Sequence, residues 1–199
     1  MTKIAIITGS VRPGRQSLNV ARWVKSLADQ RPNAQLDVEF EVVDLAAFDL
    51  PLWQEPTSPS WGAPQSPQGK AWSEKVAEYD GYVFVVSEYN HSITGALKNA
   101  LDYLKPELTD KAAGFVSYGS AGGARAVEHL RGMLSEMGVA HVRNSVAMSL
   151  FADFENFSTF APTEPATAAV GPMLEQLVTW TKAMEAVRAG QFAAVSAAA

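Results

Sequence analysis

The sequence contains no cysteine. This absence excludes disulfide frameworks, thiolate metal sites, cysteine nucleophiles and dithiol redox relays. Any redox chemistry that the chain supports must therefore reside on a cofactor. Long apolar runs are also absent, because no run approaches the roughly 20 residues that a membrane span requires. We therefore expect no membrane association.

An excess of positive charge is missing as well. The chain has 16 Lys and Arg against 21 Asp and Glu, a formal net charge of -5. Proteins that bind nucleic acid generally are usually basic, so we expect no nucleic-acid partner. The first ten residues lead directly into an apolar strand pattern and lack the features of a secretory signal. We therefore expect a cytoplasmic protein.

The residues that are present suit one globular domain. The chain has 199 residues, of which 47% are hydrophobic and 19% are charged. This length is enough for one well-packed core but short for two. We predict a single domain over residues 1–190 and a flexible, alanine-rich tail over residues 191–199. The histidines show no metal-ligand spacing, so we expect no metal site.

Short apolar runs alternate with helical patterns along the chain, which is typical of βαβ units. We predict strands over residues 3–8, 36–44, 81–87, 112–118 and 140–148, and helices over residues 17–30, 94–104, 124–137 and 167–189. The second strand alternates apolar and acidic residues, which indicates a sheet edge. The third is apolar throughout, which indicates a central position. We therefore predict an α/β, flavodoxin-like, doubly wound parallel sheet of five strands in the order 2-1-3-4-5.

Two stretches interrupt this alternation. Residues 51–72 contain five prolines and three tryptophans, and the prolines predict irregular structure. This stretch is either a lid or interface, or a surface excursion held by its tryptophans. Residues 151–163 contain four phenylalanines and are also predicted to be irregular.

The loop after the first strand, residues 9–17, has the composition of a phosphate site. It combines two serines, two arginines and flexible glycines with the start of a helix, whose first N–H groups are unpaired. These groups favour a phosphate monoester. The alternative is a loop with an N-cap serine and solvated arginines. The loop matches neither the Walker A nor the dinucleotide fingerprint.

Two further loops follow strands whose carboxyl ends should meet the first loop. In residues 87–102, the ring of Tyr89 and a run of free N–H groups would suit a planar ligand. The alternative there is an ordinary helix start capped by Thr94. In residues 118–125, three glycines before a helix present backbone donors, but the G-x-S-x-G pattern of serine hydrolases is absent.

Four motifs at these loops occur together in a specific order and spacing. They are Gly9-Ser-Val-Arg12, Glu88-Tyr-Asn90, Gly95-Ala-Leu-Lys-Asn-Ala100 with Asp102, and Tyr118-Gly-Ser120. With them the first 150 residues or so resemble the NAD(P)H-dependent FMN reductase family, which also contains quinone and azo reductases. One departure is Ser87, which stands where that family usually has proline.

The resemblance implies an FMN-dependent NAD(P)H oxidoreductase. Such an enzyme passes two electrons to quinones, azo compounds, flavins or similar small acceptors by a two-step (ping-pong) exchange. FMN would be the cofactor and NADPH or NADH the co-substrate. Since the flavin supplies the chemistry, we predict no catalytic side chain. The resemblance also implies a homodimer or homotetramer in which the helix after the third strand is a contact surface.

The same resemblance implies which residues bind FMN. The phosphate would be held by Ser10, Arg12, Gln16, Ser17, Leu18 and Asn19. The isoalloxazine would be bordered by Glu88, Tyr89, Asn90 and Ser92. Its pyrimidine side would be bound by Tyr118, Gly119 and Ser120.

Two other functions remain open at this point. A flavodoxin-type electron carrier would bind FMN without oxidising NAD(P)H, although the arginines of the first loop argue against this class. A flavin-sensing interaction protein would bind FMN and change partners with its redox state. Residues 51–72 and the acidic edge strand could serve such a role.

Overall fold

The computed structural model describes residues 1–31 and 37–192. Its main sheet has five strands: β1 (Thr2–Thr8), β2 (Val38–Val43), β3 (Gly81–Ser87), β4 (Ala112–Gly119) and β5 (Ala140–Ser149). All pairs are parallel and the order is β2-β1-β3-β4-β5. The predicted flavodoxin-like sheet and its strand order are confirmed. Residue 36 of the predicted second strand and residues 193–199 of the predicted tail lie outside the described residues.

Within the described residues, five α-helices cover both faces of this sheet: α1 (Ser17–Asp29), α2 (Pro67–Ala77), α3 (Gly95–Asp102), α4 (Ala124–Glu136) and α5 (Glu164–Arg188). Helices α2, α3 and α4 pack into one hydrophobic cluster, and α1 and α5 pack into the other. Every residue of β3 is buried, as expected for a strand between two helical layers. None of the helices in the described part of the chain has both the length and the hydrophobicity needed to cross a membrane.

The expectation of irregular structure over residues 51–72 is wrong at its end, where α2 begins at Pro67. Proline is well tolerated at the first helical position, since the N–H that it lacks has no intrahelical acceptor there. The Ser66 hydroxyl caps this helix by accepting a hydrogen bond from the Gly69 N–H (3.3 Å). Proline destabilises the interior of a helix, but at Pro67 it occupies the first position of α2, where it is favourable.

The rest of this proline- and tryptophan-rich segment is bound to α3. The Asn99 side chain donates to the Pro51 carbonyl (2.8 Å) and accepts from the Trp53 N–H (2.7 Å). Trp72 is buried and donates to the Ala100 carbonyl (2.9 Å), whereas Trp61 is exposed. Asn99 therefore holds the start of this segment to α3, and Trp72 of α2 holds its end.

The expectation of irregular structure over residues 151–163 is also wrong in part. A short antiparallel hairpin forms there from β6 (Phe154–Glu155) and β7 (Thr159–Phe160). Helix α5 begins three residues earlier than predicted, because Thr163 caps it and Pro165 lies in its first turn. Such short strands and caps carry too little periodicity to be identified from the sequence.

A buried lysine at the amino end of β4 gives a prediction for stability. Lys111 is 7% exposed and donates to the Tyr82 hydroxyl (3.0 Å), and burial lowers the pKa of Lys111 to about 8. The unfolded chain keeps the ordinary higher pKa and so binds more protons than the folded chain above pH 8. We expect the free energy of unfolding of the wild type, relative to Lys111→Met, to rise between about pH 8 and 10.

Urea unfolding at several pH values measures this difference. Lys70→Met, which removes an exposed lysine, is the control. The difference in free energy of unfolding between wild type and Lys70→Met should not rise between about pH 8 and 10. A stability difference between wild type and Lys111→Met that stays constant with pH would contradict the prediction.

Candidate functional site

The three loops identified in the sequence meet at the carboxyl ends of β1, β3 and β4. Together with the segment after β5 they line a cleft of about 270 Å³. The lining residues are Arg12, Gly14, Arg15, Gln16, Glu88, Tyr89, Tyr118, Gly119, Leu150, Phe154, Phe157 and Ser158. A larger groove of about 460 Å³ lies between residues 53–60, α3 and α4. We place the candidate site in the smaller cleft, because ligands of such sheets bind at the carboxyl ends of the strands.

Hydrogen bonds join the first and second loops beneath this cleft. Ser10 is buried, and its hydroxyl lies 3.0 Å from the Tyr89 hydroxyl. The Ser17 hydroxyl donates to the Ser10 carbonyl (3.5 Å), and the Thr94 hydroxyl donates to the Gly9 carbonyl. The loops after β1 and β3 are therefore held in one arrangement.

The amino end of α1 has the features of an anion site. Its N-cap residue, Gln16, makes no capping hydrogen bond through its side chain, and the first turn has no acidic residue. By contrast, α2, α3 and α5 are each capped by a Ser or Thr side chain. The alternative of an N-cap serine does not hold, because Ser17 is the first helical residue. The first N–H groups of α1 lack intrahelical acceptors and favour an anion.

The two arginines of the first loop differ in their partners. Arg15 forms an ion pair with Asp44 (2.5 Å), which also accepts a hydrogen bond from the Thr8 hydroxyl (2.9 Å). Arg12 has no carboxylate within ion-pair distance in the part of the chain that the structure describes. Its guanidinium lies 5.8 Å from the centre of the Tyr89 ring. Arg12 is therefore the arginine whose charge is available to a ligand.

The second loop forms a tight turn from Tyr89 to Ser92. These two residues exchange backbone hydrogen bonds of 2.9 and 3.1 Å. Asn90 (φ 48°) and His91 (φ 74°) adopt the left-handed conformation that a type I′ turn requires. The expected run of free N–H groups is interrupted, because Thr94 accepts a hydrogen bond from the Leu97 N–H (3.0 Å) and caps α3.

The start of the second loop is fixed by an ion pair whose carboxylate is buried. The Glu88 side chain is 4% exposed and pairs with Arg125 of α4, whose side chain is 40% exposed. One carboxylate oxygen of Glu88 and the Nε of Arg125 are buried without a hydrogen-bond partner among residues 1–31 and 37–192. The sequence alone does not assign a role to Arg125, which could start α4 or reach a cofactor phosphate. The available signal is that Glu88 follows β3 directly and Arg125 lies in the first turn of the helix after β4, so that both come from segments at the carboxyl ends of adjacent parallel strands.

The third loop places Tyr118 and Gly119 beside this ion pair. The Ser87 hydroxyl donates to the Tyr118 hydroxyl (2.6 Å), and burial raises the pKa of Tyr118, which keeps the phenol neutral. A Cβ atom at Gly119 would lie 2.9 Å from the Glu88 Cβ, so a side chain at this position would require the loop to shift. Ser120 is exposed.

The predicted site residues fall into two groups. Six of them line the cleft: Arg12, Gln16, Glu88, Tyr89, Tyr118 and Gly119. The others lie outside its lining. They include Ser10 and Ser17, which are buried beneath it, and Leu18, Asn19, Asn90, Ser92 and Ser120.

A comparison with known families decides the membership of the chain. The profile of the NADPH-dependent FMN reductase family matches residues 2–153. The chain belongs to this family. FMN and NAD(P)H are thus the cofactor and co-substrate of the oxidoreductase family to which it belongs.

Curated relatives carry names consistent with this membership. The chain is 43% identical over 131 residues to an NAD(P)H-dependent FMN reductase from Nectria sp, a match covering 63% of this chain and 64% of the relative. It is 33% identical over 144 residues to a quinone reductase from Escherichia coli K12, covering 66% and 70%. The matches thus span about two thirds of the length of these relatives.

Solved structures show the same fold at low sequence identity. An NAD(P)H:(acceptor) flavoenzyme oxidoreductase from Paracoccus denitrificans has a TM-score of 0.66 and 20% identity, covering 92% of this chain and 99% of that one. An NADH:FMN oxidoreductase has a TM-score of 0.64 and 22% identity, covering 89% and 90%. These similarities concern the fold.

The residues at the cleft fit FMN, the cofactor of the FMN reductase family. The uncapped start of α1 beside Arg12, which has no carboxylate partner among the described residues, suits the phosphate, and the lining residues Tyr89, Tyr118 and Gly119 suit a flat ring. The family match ends at residue 153 and does not include the β6–β7 hairpin. Phe154 and Phe157 of this hairpin line the cleft and were missed in the sequence. The phenylalanine content of residues 151–160 was the available signal.

Proposed function

We propose that this chain is an FMN-dependent NAD(P)H oxidoreductase that passes two electrons to quinones, azo compounds, flavins or similar small acceptors. The observation that carries the proposal is the uncapped start of α1 beside Arg12, which lines the cleft together with Tyr89, Tyr118 and Gly119. The names of the curated relatives, FMN reductases and quinone reductases, support the same function.

In this proposal the chain binds and orients the cofactor. Arg12, Gln16, Ser10 and the first N–H groups of α1 (Ser17, Leu18 and Asn19) hold the phosphate. Glu88, Tyr89, Asn90 and Ser92 border the isoalloxazine, and Tyr118, Gly119 and Ser120 bind its pyrimidine side. Bound FMN supplies a ring that accepts a hydride from NAD(P)H and passes two electrons on.

The turn before α4 has an electrostatic role in this proposal. Gly122 (φ 68°) and Gly123 (φ 75°) turn the chain sharply, and α4 starts without a side-chain cap. The helix dipole at the amino end of α4 favours negative charge on a flavin ring bound nearby. The protein thereby stabilises the charge that reduction creates without a side-chain acid or base.

A spectroscopic experiment tests the function. The purified protein, incubated with FMN and desalted, should be yellow, and anaerobic NADPH or NADH should bleach it. A quinone should then restore the colour, and steady-state rates should give the parallel double-reciprocal lines of a ping-pong exchange. A yellow protein that NAD(P)H leaves unbleached would indicate the electron carrier, and tight FMN binding without turnover of any acceptor would indicate the sensing protein. A protein that refuses micromolar FMN would overturn the proposal.

Arg12→Ala tests the phosphate end. Loss of one charge-assisted hydrogen bond should weaken FMN binding by about 1–3 kcal/mol, without loss of thermal stability, since Arg12 is exposed. Fluorescence titration of the apo-protein with FMN measures the affinity, and Arg22→Ala, an exposed arginine of α1, is the matched control. Equal FMN affinity in Arg12→Ala and wild type would contradict the assigned role.

We further propose that the chain forms a homodimer or homotetramer and acts in the cytoplasm. Leu52 and Trp61 are exposed large apolar residues on the segment that packs on α3, the helix implicated in subunit contact by the family resemblance. Light scattering during gel filtration measures the mass. A monomer at micromolar concentration would contradict this part of the proposal.

A further inference from the structure

The β6–β7 hairpin brings an aromatic side chain to the cleft from outside the family match. Phe157, at the tip of this hairpin, lines the cleft together with Tyr89 and Gly119. Its side chain belongs to neither hydrophobic cluster and is 64% exposed. Packing of the core therefore does not explain a large apolar residue at this position.

The base of the hairpin is firmly anchored. Asp153 is buried and accepts hydrogen bonds from the Ser149 N–H (2.9 Å), the Thr163 N–H (3.0 Å) and the Thr163 hydroxyl (2.7 Å). The ring centres of Phe160 and Trp23 of α1 lie 5.3 Å apart, and those of Phe154 and Tyr118 also lie 5.3 Å apart. These contacts fix the position from which the tip projects.

The tip itself has an unfavourable backbone conformation. Asn156 (φ 49°) and Phe157 (φ 57°) are both left-handed. Asparagine adopts this conformation comparatively easily, but for a bulky residue such as phenylalanine it is uncommon and costs about 1 kcal/mol or more. A strained, exposed aromatic residue beside a ligand cleft suggests a role in binding.

We propose that Phe157 is a specificity-determining residue that binds flat, ring-shaped electron acceptors beside the cofactor. This inference rests on the proposed function. Aromatic rings attract one another in offset or edge-to-face arrangements and bury apolar area at low entropic cost. The Phe151 ring packs edge-on against Phe157, with ring centres 5.5 Å apart, which limits the orientations of the Phe157 ring. A planar quinone gains this contact, whereas a compact inorganic acceptor does not.

Phe157→Ala tests the inference by comparing two acceptors. The KM for a naphthoquinone such as menadione should rise about 3- to 10-fold, as expected for the loss of one aromatic contact. The KM for ferricyanide and the affinity of the apo-protein for FMN should stay within about twofold of wild type. Phe157→Tyr, which keeps the ring, should retain the menadione KM, and Phe192→Ala, at a residue of similar exposure (61%), is the matched control.

A binding measurement independent of turnover completes the test. Calorimetric titration of the FMN-loaded protein with 2-naphthoate, which is flat but not reducible, should show the same 3- to 10-fold loss of affinity in Phe157→Ala. Unchanged menadione KM and naphthoate affinity would overturn the inference and leave the proposed function intact. A parallel loss of FMN affinity would also overturn it, since Phe157 would then hold the cofactor. Failure of the wild type to bind FMN would overturn the proposed function itself.

Discussion

Gly119→Val is expected to weaken FMN binding by about two orders of magnitude while the fold is retained. The new Cβ would lie 2.9 Å from the Glu88 Cβ and 3.3 Å from the Gly123 nitrogen, so the third loop must shift. The two methyl groups would add bulk at a residue that lines the cleft. We expect a loss of about 1–3 kcal/mol in the free energy of unfolding, as is usual for overpacking.

Gly132→Val is the matched control, because a Cβ at Gly132 in α4 would have no described atom within 4 Å beyond its chain neighbours and the nearby backbone of α4. Circular dichroism and thermal unfolding report the fold of both variants, and fluorescence titration reports their FMN affinity. A Gly119→Val protein that binds FMN as tightly as the wild type would remove the third loop from the cofactor site.

Arg125→Met is expected to destabilise the protein by about 2–3 kcal/mol and to weaken FMN binding. The substitution leaves the Glu88 carboxylate, which is 4% exposed, without its counter-ion. Removing one partner of a fully buried pair typically costs about 3–5 kcal/mol. We expect a smaller effect here, because the Arg125 side chain is 40% exposed and the pair is partly solvated.

A double-mutant cycle separates the ion pair from other effects of the substitution. In Glu88→Gln/Arg125→Met no charge is left to bury, so most of the lost stability should return, with a coupling energy of about 1–2 kcal/mol. Urea unfolding of the four proteins measures this coupling. Additive losses in the two single variants would show that Arg125 does not act through Glu88.

Both variants probe one feature of the site, the contact between the loops after β3 and β4. Gly119 packs against Glu88, and Glu88 is held by Arg125, so this contact sets the position of the turn that begins at Tyr89. The site is therefore a set of loops held against one another by hydrogen bonds and the partly solvated Glu88–Arg125 ion pair. A change in any one of them should alter FMN affinity more than a surface substitution does.

The sequence by itself determined the sheet, the order of its strands and the position of the candidate site. Alternation in β2 and unbroken apolarity in β3 report how many faces of a strand are buried, and this property distinguishes edge from centre. The three loops could be found because parallel strands bring their carboxyl ends to one edge.

Only the tertiary structure decided which arginine of the first loop is available to a ligand, what Arg125 contacts and which aromatic residues reach the cleft. Asp44 is 29 residues from Arg15, and Glu88 is 37 residues from Arg125. No local pattern encodes such a pairing, because it arises when separate strands and helices are packed side by side. The start of α2 at Pro67 was likewise undetermined, since proline both begins and interrupts helices, and only the capping contact of Ser66 distinguishes the two cases.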